Sequence, residues 1–230
     1  LVTADERVDY LKRVLLWTAG GLFLSGTTGF MTAGALFVAQ AIGMNFLFNS
    51  MVMMVIIFGA YGVAQFLAPK MVFGNAKVPG FLIGSTFQGI AMGYLLLAAV
   101  LMGMSTGNPF GLVMSALVLT SLTGVGLTAY VWTKPREFGM LRAALSALFI
   151  PMMVLMVVSF VVPSLFGGTL GVLMAALFVV ISAAGLLYQV NQVLHKLRTD
   201  QHIEGAFLIT MGLLILYWNI LSLLMRLNRR

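Results

Sequence analysis

The stretch "LLYQVNQVLHKLRTDQH", residues 186–202, shows the pattern that decides the fold. An uncharged run that begins near residue 170 ends on three amides, Gln189, Asn191 and Gln192, and a short charged segment follows. A helix that crosses the hydrocarbon core of a bilayer needs about 20 mainly apolar residues. We therefore interpret residues 170–192 as a transmembrane helix whose end carries the amides.

The same alternation of apolar run and polar break repeats along the whole chain. The sequence is 61% hydrophobic and 8% charged, with a mean hydropathy of +1.06, which lies far outside the range of soluble domains. Run lengths and the absence of alternating patterns favour helices over barrel strands. We predict an all-α polytopic membrane protein with one seven-helix transmembrane domain over residues 1–230. The seven runs are 14–39, 46–68, 81–104, 110–132, 141–162, 170–192 and 205–226.

Lys and Arg are distributed unevenly over the breaks, and this predicts the orientation. Most of them precede the first run or follow the second, fourth and sixth runs, so the N-terminus and residues 1–13 are expected in the cytoplasm. Arg226, Arg229 and Arg230 would lie on the opposite side if the last run crosses fully; a re-entrant run is the alternative. Since the basic residues orient helices, the net charge of +7 does not indicate nucleic-acid binding.

Several classes of chemistry lack the residues they need. The chain has no Cys, which excludes disulfides and thiolate metal sites. An intramembrane metalloprotease needs His and carboxylate ligands inside the runs, and a serine protease needs a base beside its nucleophile. Every acidic residue falls before the first run or in a loop, with Glu204 assigned to the loop after the sixth run. We therefore expect no enzyme, no metal and no cofactor.

Neutral amides are the strongest polar groups left inside the runs. They can bond to neighbouring helices or line a polar path, and the sequence leaves both alternatives open. Gln189 and Gln192 are three residues apart and share a helix face, where they could line a wet vestibule or support packing. The amides are Gln40, Asn49, Gln65, Gln88, Gln189, Asn191, Gln192 and Asn219.

Two loops on the predicted cytoplasmic side carry titratable and charged residues that could contact a partner. A histidine pair in the second of them could sense pH, and a plain solvated loop is the alternative. The candidate contact residues are Lys134, Arg136, Glu137, His195, Asp200 and His202.

Three motifs resemble the transmembrane Bax inhibitor motif family, the Bax inhibitor-1-like proteins, in a compact bacterial form. They are "RVLLWTAGGLFLSG" (13–26), "TAYVWTKPREFG" (128–139) and "LLYQVNQVLHKLRTDQH" (186–202). The resemblance implies six helices around a central seventh and a location in the bacterial inner membrane. Family members are associated with a pH-sensitive calcium leak, with restraint of cell death, and in bacteria with a membrane-bound AAA protease.

The family's two aspartates, thought to share a proton and close a pore, are replaced here. The resemblance places Gln189 of "LYQVN" (187–191) and Asn219 of "LYWN" (216–219) at these positions. Paired carboxylates titrate as a coupled latch, whereas amides have no proton to lose and no charge to offset calcium dehydration. Two hypotheses follow: a non-catalytic regulator or structural partner of other membrane proteins, and a calcium or cation leak channel past Gln189, Asn191, Gln192 and Asn219.

Overall fold

A computed structural model describes residues 4–133, 145 and 168–228, and these residues are mainly helical. A short 3-10 turn, Asn45–Phe48, precedes α2, and a π-helical turn, Val63–Leu67, joins α2 to α3. The α-helices are α1 (Ala4–Ala41), α2 (Ser50–Gly62), α3 (Ala68–Val72), α4 (Lys77–Ser105), α5 (Gly111–Thr133), α6 (Gly168–His195) and α7 (His202–Asn228).

Six helical segments in the described part of the chain are long and apolar enough to cross a membrane, which confirms six of the predicted runs. The fifth run, 141–162, lies outside the described residues, so the count of seven stays a prediction. The largest difference is α1, which begins at Ala4 and includes most of the predicted N-terminal segment. Its 38 residues extend about 57 Å, well beyond a hydrocarbon core of about 30 Å.

Glycines and one asparagine set the helix ends. After α1, Gly43 adopts φ +83°, and Met44 N–H donates to Ala39 C=O at 2.9 Å; after α4, Gly107 adopts φ +76° in the same arrangement. This Schellman motif satisfies the last carbonyls of a helix and needs a left-handed residue. At the start of α2, the Asn49 side chain accepts from Met51 N–H at 3.0 Å.

The described residues form two compact units, whose boundaries fall within α4, at the end of α6 and within α7. The first comprises residues 4–98 and 196–214; the second comprises 99–133, 145, 168–195 and 215–228. The prediction of a single transmembrane domain stays a prediction.

In the first unit, α1, α4 and the first half of α7 pack closely. The Trp17 ring meets the edge of Phe81 at 5.3 Å between centroids, and Phe81 meets Phe207 at 6.4 Å. Between α1 and α4, Ser25 Oγ donates to Ser85 C=O at 2.8 Å. Such close approach by small residues is the usual way for helices to associate in lipid.

In the second unit, α5 packs against α6. Small side chains are buried on both helices, among them Ala116 and Thr120 of α5 and Ala175 and Ser182 of α6. The opposite face of α5 presents Leu122 and Val125, which are largely exposed and suited to lipid.

Burial differs strongly between the described helices. α4 is the most buried and α7 is the next, whereas α1 and α5 expose large apolar side chains along much of their length. A central seventh helix surrounded by six others stays a prediction.

Candidate functional site

The three amides of the opening stretch all lie on α6, close to its end at His195. Asn191 is buried and its Oδ1 has no hydrogen-bond partner among the described residues. Gln189 is half-buried, and its Oε1 likewise lacks a partner in the described ranges. Gln192 Nε2 donates to the hydroxyl of Tyr188 on the same helix at 2.9 Å. The three amides thus lie within one turn at the end of α6, where Gln189 and Gln192 share a face and Asn191 lies on another.

Asn219 lies on α7 and is half-buried. The motif resemblance places it at the position of the family's second aspartate. Its Nδ2 donates to the carbonyl of Ile215, one turn earlier on the same helix, at 3.0 Å. The donor group of this amide is therefore satisfied locally, by its own backbone.

The chemistry of these four amides is limited to hydrogen bonding. None of them titrates near neutral pH, and none carries a charge. They can bind water or polar backbone groups, but they provide no titratable latch and no carboxylate for a hard cation.

The segment between α6 and α7 carries the other predicted contact residues. Asp200 pairs with Arg198 at 3.3 Å, and both side chains are largely exposed. From α1, Arg7 donates to the Leu197 carbonyl at 2.9 Å, which fastens this segment to the first helix. His195 is exposed at the end of α6, and His202 is the first residue of α7. Lys134, Arg136 and Glu137 lie outside the described residues.

The prediction that Glu204 lies in a loop is wrong. It lies in the first turn of α7, its side chain is 3% exposed, and Oε1 pairs with Lys77 Nζ of α4 at 2.7 Å. The sequence spacing could have predicted this position, because Glu204, Phe207 and Met211 are spaced as one helix face. All three are buried. The acidic residue is therefore on the packed face of α7.

A further polar contact links the second predicted run to α4. Within the π turn, Gln65 Nε2 donates to Gln88 Oε1 at 3.2 Å. Gln88 is fully buried, and this bond joins the two neighbouring helical segments through their amides. Among the residues that the structure describes, no group of three or more His, Asp or Glu could hold a metal ion.

Comparisons with known proteins agree with the resemblance in the motifs. The family model described as "Inhibitor of apoptosis-promoting Bax1" matches residues 7–230. Protein lifeguard 4 of Mus musculus is 24% identical over 119 residues, which cover 52% of this chain and 49% of that protein. The match thus spans about half the length of this curated relative. No solved structure matches.

Proposed function

Because the chain belongs to the Bax inhibitor-1 family of membrane proteins, we propose that it acts without catalysis, as a regulator or structural partner of other membrane proteins. In a bacterial inner membrane, with the N-terminus in the cytoplasm, the partner would be another membrane protein, and a membrane-bound AAA protease is one candidate. The family's proton-operated aspartate latch is absent from this proposal, since Gln189 and Asn219 replace it.

The observation that carries the proposal is the local use of the amides. Asn219 donates to its own helix at Ile215, and Gln192 donates to Tyr188 on its own helix. These bonds hold the amide N–H groups of both residues within their own helices, and neither residue carries the charge that would offset calcium dehydration. The apolar faces of α1 and α5 offer large surfaces for lipid or for a partner helix.

Purification from native membranes, after mild crosslinking, tests the proposal. We expect a stoichiometric membrane partner that remains bound in a gentle detergent. Substituting exposed apolar residues of α5 with other apolar residues, as in L122A/V125A, should reduce its recovery if α5 is the contact face. The chain purified alone, with no partner at any crosslinker concentration, would contradict the proposal.

A calcium or cation leak channel is the second candidate, and the amides at the end of α6 favour it. Gln189 and Asn191 each keep a buried oxygen with no partner in the described ranges, and such oxygens could bind water or a weakly held ion. The amides at this site carry no charge, so the ion flux past them would not depend on pH. Cation flux into vesicles that contain the protein, absent from empty vesicles, distinguishes this candidate from the first.

A further inference from the structure

The first unit contains a second group of buried polar atoms, separate from the amides of α6. Each belongs to a side chain at least nine-tenths buried, and each lacks a hydrogen-bond partner among the described residues. In a helix bundle within lipid, such atoms are costly unless water satisfies them. They are Thr18 Oγ1, Ser85 Oγ, Gln88 Nε2, Glu204 Oε2 and Thr210 Oγ1.

One of these atoms, Glu204 Oε2, lies where α7 meets α1 and α4. Lys77 satisfies Oε1 from α4, whereas Oε2 has no partner in the described part of the chain. Tyr10 of α1 lies close by, since a Cβ on Gly205 would come within 2.9 Å of the Tyr10 hydroxyl oxygen. Arg7 stacks over the Tyr10 ring at 4.7 Å. A carboxylate oxygen is thus enclosed by groups from α1, α4 and α7.

The other atoms lie deeper along the same helices. Thr210 faces α1, because a Cβ on Gly21 would meet Thr210 Oγ1 at 3.1 Å and the Phe81 ring at 2.6 Å. Thr18 precedes Gly21 by three residues and shares its helix face. On α4, Ser85 and Gln88 are also three residues apart. Unpartnered atoms of Ser85, Gln88 and Thr210 therefore follow the Phe81–Phe207 contact along α4 and α7, and Thr18 lies beside that contact on α1.

Close packing limits what can enter. A Cβ on Gly84 would approach the Phe207 ring to 2.6 Å and Met211 Cε to 3.4 Å, so the helices nearly touch beside the polar atoms. A water molecule needs only two to four polar partners and a space about the size of one probe sphere. Larger ligands would require the helices to separate.

We propose that water occupies the interior between α1, α4 and α7, with an outer site at Glu204 and an inner site at Ser85, Gln88 and Thr210. The Phe81–Phe207 contact divides the two sites. Bound water supplies the missing hydrogen bonds at both sites and hydrates the interior of this unit.

X-ray radiolytic labelling in vesicles tests the proposal, because water activated inside a protein oxidises the buried side chains next to it. Met211 is 3% exposed and Met225 is 7% exposed on the same helix, so a dry interior predicts no more oxidation at Met211 than at Met225. A hydrated interior predicts several-fold more oxidation at Met211. The double substitution S85A/T210V removes two hydroxyls that hold the water and should return Met211 to the level of Met225.

The single substitution S85A gives the same comparison if the double variant does not fold. As a control, A91S places a hydroxyl at another fully buried position of α4 and should leave Met211 oxidation unchanged. Equal oxidation of Met211 and Met225 in the wild-type protein would overturn the proposal. So would a folded S85A/T210V variant that keeps the wild-type oxidation of Met211.

Discussion

At the scale of single residues, burial affects the charged pair Lys77–Glu204 and the amides Gln189 and Asn219 in different ways. Glu204 is almost wholly removed from solvent, and Lys77 offsets its charge at 2.7 Å. Amides need only hydrogen bonds, which a neighbouring carbonyl can supply, as Ile215 does for Asn219. Loss of one partner should therefore cost far more at the ion pair than at an amide.

The substitution Lys77→Met should destabilise the protein by about 3 kcal/mol, because it leaves the Glu204 carboxylate buried and unpaired. This figure lies at the low end for a buried pair, since the Lys77 side chain is 39% exposed and partly screened. Thermal unfolding in detergent measures the effect.

The double variant K77M/E204Q provides the control for the ion pair. It should recover much of the lost stability, since no charge then remains buried. If the losses of K77M and E204Q simply add in the double variant, the pair contributes nothing that depends on both partners.

Single residues were the least predictable part of the site. The sequence identified the amides Gln65, Gln88, Gln189 and Asn219, because polar groups stand out in apolar runs. The sequence pattern placed Glu204 wrongly in a loop, because this carboxylate follows the start of α7 by only two residues and adjoins a charged segment. The helical spacing of the apolar residues that follow it indicates the buried face instead. Its partner Lys77 comes from a helix 127 positions earlier, and no local pattern reports such a contact.

At the scale of elements, the crossing of α1 and α4 depends on glycine. A Cβ on Gly89 would collide with Thr28 Oγ1 and would lie 2.5 Å from the Ser25 carbonyl oxygen, which is backbone and cannot rotate away. On the same α1, Gly26 faces open space, with no atom within 4 Å of an added Cβ.

Gly89→Ala should therefore destabilise the protein by roughly 1–3 kcal/mol, since the two helices must move apart. The control Gly26→Ala should be neutral or stabilising by up to about 1 kcal/mol, because alanine favours helix where space allows. Unfolding of both variants in the same detergent checks the pair. Equal effects of the two substitutions would contradict the close crossing.

The π turn is the other element with a specific role. It holds Gln65 so that its amide reaches Gln88 Oε1 of α4, and π turns often mark positions where a side chain is redirected.

Gln65→Leu should cost about 1 kcal/mol, because it removes the donor to a fully buried oxygen. The double variant Q65L/Q88L should be more stable than the sum of the single losses predicts, which a double-mutant cycle measures. Strict additivity would show that the two amides do not act together.

At the scale of the whole molecule, apolar run length predicted most of the architecture. Six runs became helices with ends within about five residues of the prediction, apart from the N-terminal extension of α1, because membrane thickness restricts helix length so strongly. The start of α1 at Ala4 was not predicted, since residues 4–13 are too charged to look transmembrane even though they continue the helix. The helix partners could not be predicted either, because every run is apolar on most faces and small residues occur in all of them.

The central proposal is that this family member works without a proton-operated calcium latch, because the motif resemblance places Gln189 and Asn219 at the positions of the paired carboxylates. Calcium flux into vesicles, compared with empty vesicles from about pH 6 to about pH 8, tests it most directly. The wild-type protein should give no flux above empty vesicles at any pH, whereas Q189D/N219D should introduce a pH-dependent response. Wild-type calcium flux that changes with pH would contradict the account, whereas flux that does not depend on pH would favour the leak channel over the regulator.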